Sequence, residues 1–121
     1  LSSELLQLRN TLLNEFFTLG EGRGDPVRVA ESWMKLDLPL LLEWIGGWVA
    51  DILRLECRHP VVRLTNPDRS GDLGRQAEWL DPVALHRFWC RVVEAREQLQ
   101  TNLNPQLMLE SLLAHWSDMR R

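Results

Sequence analysis

The chain has 121 residues, 45% hydrophobic and 26% charged, with a formal net charge of −3 from 14 basic and 17 acidic side chains. That length fits one domain able to bury roughly two-thirds of its unfolded surface, and the composition is globular rather than disordered. A slight acidic excess speaks against a dedicated binder of nucleic acid or anionic membranes, which would carry surplus Lys and Arg. The longest apolar run, Leu38 to Leu42, falls far short of the ~20 residues a bilayer crossing needs. No secretory signal is visible at the start, and two cysteines make no disulfide framework, so a reducing compartment is the default. A start at Leu1 rather than Met is expected of a fragment of a longer protein.

In chain order, Leu5, Leu8, Leu12, Phe16 and Leu19 recur at helical spacing, widened by Leu6, Leu13 and Phe17. Ser2 or Ser3 caps this first helix, Gly20 ends it, and Gly20 to Gly24 reads as a flexible connection. Asp25-Pro26 opens a short helix striped by Val27, Ala30, Trp33 and Met34. The same start signal at Asp37-Leu38-Pro39 leads into the cleanest amphipathic pattern, through Leu41, Trp44, Ile45, Trp48, Val49 and Ile52. That pattern predicts Trp44, Trp48 and Ile52 packed inward. Gly46-Gly47 inside it predicts close approach of a neighbouring helix, or else a kink.

His59-Pro60 closes this third helix, and Val61 to Gly71 reads as an ordered loop with turn signals at Asn66-Pro67-Asp68 and Ser70-Gly71. Asp72 to Leu80 reads as a short helix with Leu73, Ala77 and Leu80 inward. Asp81-Pro82 opens a long helix with Leu85, Phe88, Trp89 and Val92 on one side and Arg87, Arg91, Glu94 and Glu97 on the other. Asn104-Pro105 opens the last, striped by Leu109, Leu112, Leu113 and Trp116. The expected fold class is all-α: a compact bundle of five to six helices forming one domain over residues 1–121.

Catalytic patterns are weak. Gly20 to Gly24 follows a helix and precedes Asp25, which would repel phosphate, so it lacks the context of a phosphate loop. Cys57, His59, His86 and Cys90 contain one helical pair, His86 and Cys90, but nothing forces the two halves together. No metal is expected, with Cys90 read as a small core residue. No nucleophile motif surrounds any Ser or Cys, and Asp51, Glu56 and Glu110 read as members of solvated charged faces. No catalytic residue, cofactor or small-molecule substrate is therefore expected. Six Trp exceed what one small core needs. Trp79, off the Leu73/Ala77 stripe, is the best candidate to face a partner.

The stretch Leu64-Thr65-Asn66-Pro67-Asp68, the Leu73, Ala77 and Leu80 set, Ala95 to Leu99, and Thr101 to Leu113 resemble the C-terminal domain of bacterial DNA polymerase III delta-prime subunits, which are components of the clamp loader. The resemblance covers nearly all of the chain and is sharpest over its C-terminal half. It implies the helical third domain of a longer AAA+-type protein in the bacterial cytoplasm. Such domains pack side by side into a collar while the AAA+ parts load the sliding clamp on primed DNA. The family's arginine motif, zinc-binding cysteines and phosphate loop belong to an N-terminal region outside this sequence. The implied role is an oligomerisation scaffold with no activity of its own inside a DNA-directed DNA polymerase assembly. Its partners would be the gamma/tau and delta subunits, through their C-terminal domains, with no nucleic-acid or membrane contact. The collar of a gamma/tau subunit is the alternative, and a free-standing helical module binding a peptide or small apolar ligand is another. Ring contacts need two different faces. The residues expected to supply them are Trp79, the flanking apolar Leu103, Leu107, Met108 and Met119, and Arg87 on the rim.

Overall fold

The computed structural model describes residues 2–57 and 63–120. Six α-helices account for most of them: α1 (Ser3–Gly20), α2 (Pro26–Trp33), α3 (Leu38–Glu56), α4 (Ser70–Trp79), α5 (Pro82–Gln98) and α6 (Pro105–Asp118). Single 3-10 turns at Pro67–Arg69 and Leu99–Thr101 precede α4 and follow α5. The all-α bundle expected from the sequence is the fold.

Each start signal works as its chemistry dictates. Ser2, Asp25, Asp37, Asp81 and Asn104 accept hydrogen bonds from the amides of Leu5, Val27, Leu40, Ala84 and Leu107, at 3.0–3.2 Å. The last four are followed by a proline in the first turn, where its missing N–H has no partner to lose. The turn after α1 is ordered: Glu21, Gly22 and Arg23 donate their amides to Phe17, Leu19 and Thr18. Gly22 and Gly24 sit there at φ of 81° and 85°, which a side chain would strain.

The core sits where α1, α3, α5 and α6 converge. Phe16 stacks on Trp116 with centroids 4.1 Å apart, and Trp48 and Phe88 tilt against this pair at 5.4 and 5.6 Å. Trp116 donates its indole N–H to the carbonyl of Phe16 at 2.7 Å, so this large ring is buried with its polar atom satisfied. Trp48 and Ile52 are fully buried and Trp44 half-buried against them. Helix α3 packs on α4 and α5, while α6 packs on α1, α2 and α5. An antiparallel bridge between Leu80 and Arg120 returns the C-terminal end to the α4–α5 junction.

Several local expectations are corrected. Ser70-Gly71 is the first turn of α4 rather than a loop turn, because the preceding 3-10 turn runs straight into the helix. Helix α3 ends at Glu56; His59-Pro60 and Val61-Val62 lie outside the described residues. Gly46 and Gly47 are not forced by close approach: a Cβ there would meet its nearest neighbours at 3.7 and 3.8 Å, an ordinary contact. The tight position is Gly20, where a Cβ would lie 2.9 Å from the Trp116 indole.

Candidate functional site

The residues expected at a partner interface fall on separate parts of the surface. Leu103 and Leu107 lie at the α5–α6 corner. Asn102 accepts a hydrogen bond from the amide of Asn104 at 2.8 Å, and Asn104 in turn caps α6. This pinned turn holds Leu103 at 101% exposure, and Leu107 on the first turn of α6 is 58% exposed. Met108 and Met119 are half-buried against the core along the α5–α6 seam. Shallow grooves of about 170 and 160 Å³ open there, the second flanked by Arg87 and Met119. Arg87 itself is exposed on the polar side of α5.

Trp79 stands elsewhere, half-buried at the end of α4. It borders a cleft of about 480 Å³ between α1 and α4, together with Phe17, Arg23, Arg69, Arg75 and Gln76. The sequence-derived set is thus two surfaces: the α5–α6 corner and seam, and the α1–α4 cleft.

Joined to that cleft through Arg69 is a feature the sequence reading missed. Asp51, read as solvated, is fully buried. Its carboxylate accepts from the amides of Thr65 and Asn66 at 2.8 Å, from Asn66 Nδ2 at 3.0 Å and from Arg54 at 2.8 Å. A carboxylate has about four acceptor positions, and these are all occupied, so Asp51 is a structural clasp and not a general base. On the other side of Asn66, Arg9 is buried and donates to Asn66 Oδ1 and Asn10 Oδ1, each at 2.9 Å, and pairs with Asp68. Arg69 continues the network to Asn10, Asn14 and Asp72. Helices α1, α3 and α4 are therefore tied through Asn66-Pro67-Asp68, part of the segment that carries the family resemblance. The available signal was an acid within the apolar run Val49 to Leu53, and an arginine one turn before Leu12-Leu13 on the first stripe.

Cys90 is exposed, not a core residue, because it falls on the outer side of α5. Its Sγ lies 3.9 Å from His86 Nδ1. Cys57 is exposed at the end of α3, and His59 lies outside the described residues. Among the described residues, no three His, Cys, Asp or Glu side chains converge as metal ligands, and no helix is long and apolar enough to cross a membrane.

Residues 3–118 match the family described as DNA polymerase III, delta subunit, C terminal. The chain is also similar to DNA polymerase III subunit delta′ of Pseudomonas aeruginosa, 32% identical over 97 residues, which cover 75% of this chain and 28% of that relative. The chain thus spans under a third of the length of the curated relative it matches. No solved structure matches.

Proposed function

The chain belongs to the family formed by the C-terminal domains of DNA polymerase III delta subunits, and from that premise we propose that it is a collar module, docking laterally on the C-terminal domains of neighbouring clamp-loader proteins. Its work is packing, with no bond made or broken. The neighbours are the gamma/tau and delta subunits, and the collar they form holds the assembly together while it places the sliding clamp on primed DNA.

The observation that carries this reading is the placement of apolar side chains outside a core that is already closed. The aromatic centre satisfies the bundle's own burial, yet Leu103 is held fully exposed by a hydrogen-bonded turn and Leu107 stands out in the following first turn of α6. Surface apolar side chains on a rigid support suit a protein contact, where pre-ordering lowers the entropy lost on docking. Trp79 lies on a different surface from that corner, as a head-to-tail ring contact requires.

The test is a pull-down of folded Trp79→Ala and Met108→Asp variants against the C-terminal domains of gamma/tau and delta. Each variant is expected to lose about tenfold or more in affinity, the scale of a central interface truncation. Unchanged affinity for both variants would reject these faces.

A further inference from the structure

The α1–α4 cleft carries more than a half-buried Trp. Its walls hold three guanidinium groups, Arg23, Arg69 and Arg75, against two carboxylates, Glu21 and Asp72, so it is locally positive in a chain of net charge −3. Arg69 is committed to the polar network and to the face of Phe17, 5.7 Å from the ring centre, and acts as a fixed wall. Arg23 and Arg75 each make one ion pair, to Glu21 and Asp72, with side chains 68% and 67% exposed. A guanidinium carries more donors than one such pair uses. Two polar atoms beside them have no hydrogen-bond partner although buried: Gln76 Oε1, on a residue only 2% exposed, and Trp79 Nε1. One is an acceptor and the other a donor.

We propose that this cleft is a docking site for an acidic peptide segment of a partner protein, with its carboxylates on Arg23 and Arg75 and an adjacent apolar side chain against Trp79. A peptide backbone offers an N–H and a C=O together, the complement of Gln76 Oε1 and Trp79 Nε1 once both side chains turn these buried atoms toward the ligand. Carboxylates on guanidinium form the strong, planar, charge-assisted pairs. A nucleic-acid strand fits less well, because Glu21 and Asp72 would face its evenly spaced phosphates. The proposal rests on Trp79 belonging to a contact surface and adds what that surface recognises.

The probe is a random dodecapeptide library selected on the immobilised protein, followed by fluorescence anisotropy of the fluorescein-labelled winning peptide. Selected sequences are expected to be rich in Asp and Glu next to Phe, Trp or Leu. Arg23→Glu and Arg75→Glu should each weaken the winner by about tenfold or more, the loss of one charge-assisted contact. Arg28→Glu makes the same charge change on α2, at a side chain 87% exposed, and should leave binding intact. Circular dichroism should be the same for all variants, and if a reversal unfolds the chain, Arg75→Gln replaces it with a smaller expected loss. A selection without acidic consensus, binding that survives both reversals, or displacement of the peptide by an equal concentration of oligothymidylate overturns the proposal. Because no second collar domain is present in the peptide assay, failure here leaves lateral packing standing, whereas an unchanged Trp79→Ala in the pull-down removes the contact surface on which this proposal rests.

Discussion

At the residue scale the decisive side chain is Asp51. A buried carboxylate is tolerable only when its charge is matched and its lone pairs are filled, and Asp51 meets both conditions through Arg54, Thr65 and Asn66. Removing it strands the buried Asn66 amide, the Asn66 side-chain amide and the part-buried Thr65 amide. Asp51→Ala is therefore expected to lose about 3–5 kcal/mol of unfolding free energy, the scale for breaking a buried polar pair from one side. Urea denaturation measures it, and a loss below about 1 kcal/mol would mean that water replaces the clasp. The identity of Asp51 was readable but its role was not. An acid three residues before Arg54 on a helix looks like half of an exposed ion pair. What buries it is Thr65-Asn66, fourteen residues on in the chain, lying back over α3, and nothing in the local period reports that. Cys90 failed in the opposite direction. It lies next in sequence to the Phe88/Trp89 stripe, yet a helix turns far enough in one residue to carry the thiol to solvent.

At the element scale the sequence was most legible, because helix starts are local chemistry. An Asp or Asn followed by Pro determines its own hydrogen bond to the next turn, and four helices begin that way. Asp81→Ala should cost about 1 kcal/mol by removing the bond to Ala84. Thermal unfolding would show it as a fall in Tm, and an unchanged Tm would mean that the α4–α5 junction is held by other contacts. The glycines show where local reading stops. Gly46 and Gly20 both lie within helices and cannot be ranked from sequence; the structure separates them by what stands opposite. At Gly46 a Cβ fits, so Gly46→Ala should be neutral or stabilise by about 0.5–1 kcal/mol through helix propensity. At Gly20 the new Cβ runs into the Trp116 ring, which is itself stacked on Phe16 and cannot slide freely. Gly20→Ala should destabilise by about 1–3 kcal/mol. Gly46→Ala at or above the parent's stability and Gly20→Ala clearly below it in one denaturation series is the expected result, and destabilisation by both would contradict this packing.

At the scale of the whole molecule, folding and assembly draw on different residues, and that separation can be tested. The interior is closed around Phe16, Trp48, Phe88 and Trp116, while Leu103 and Leu107 contribute little to it. Trp116→Ala should cost about 3–5 kcal/mol, which for a chain of this size removes much of the total stability and takes assembly down with it. The Leu103→Asp/Leu107→Asp pair should behave differently. Leu103 is wholly and Leu107 more than half in water, so the folded state loses little burial and unfolding free energy should shift by no more than about 1 kcal/mol. In a docked state the same two positions would place carboxylates in an apolar contact, where an unpaired charge is strongly disfavoured. Affinity for the neighbouring C-terminal domain should then fall by about 2 kcal/mol or more, roughly thirtyfold. Calorimetric titration beside urea denaturation separates the two effects. Assembly that falls only in proportion to stability would place the contact elsewhere, whereas an intact fold with lost assembly makes the α5–α6 corner the docking surface.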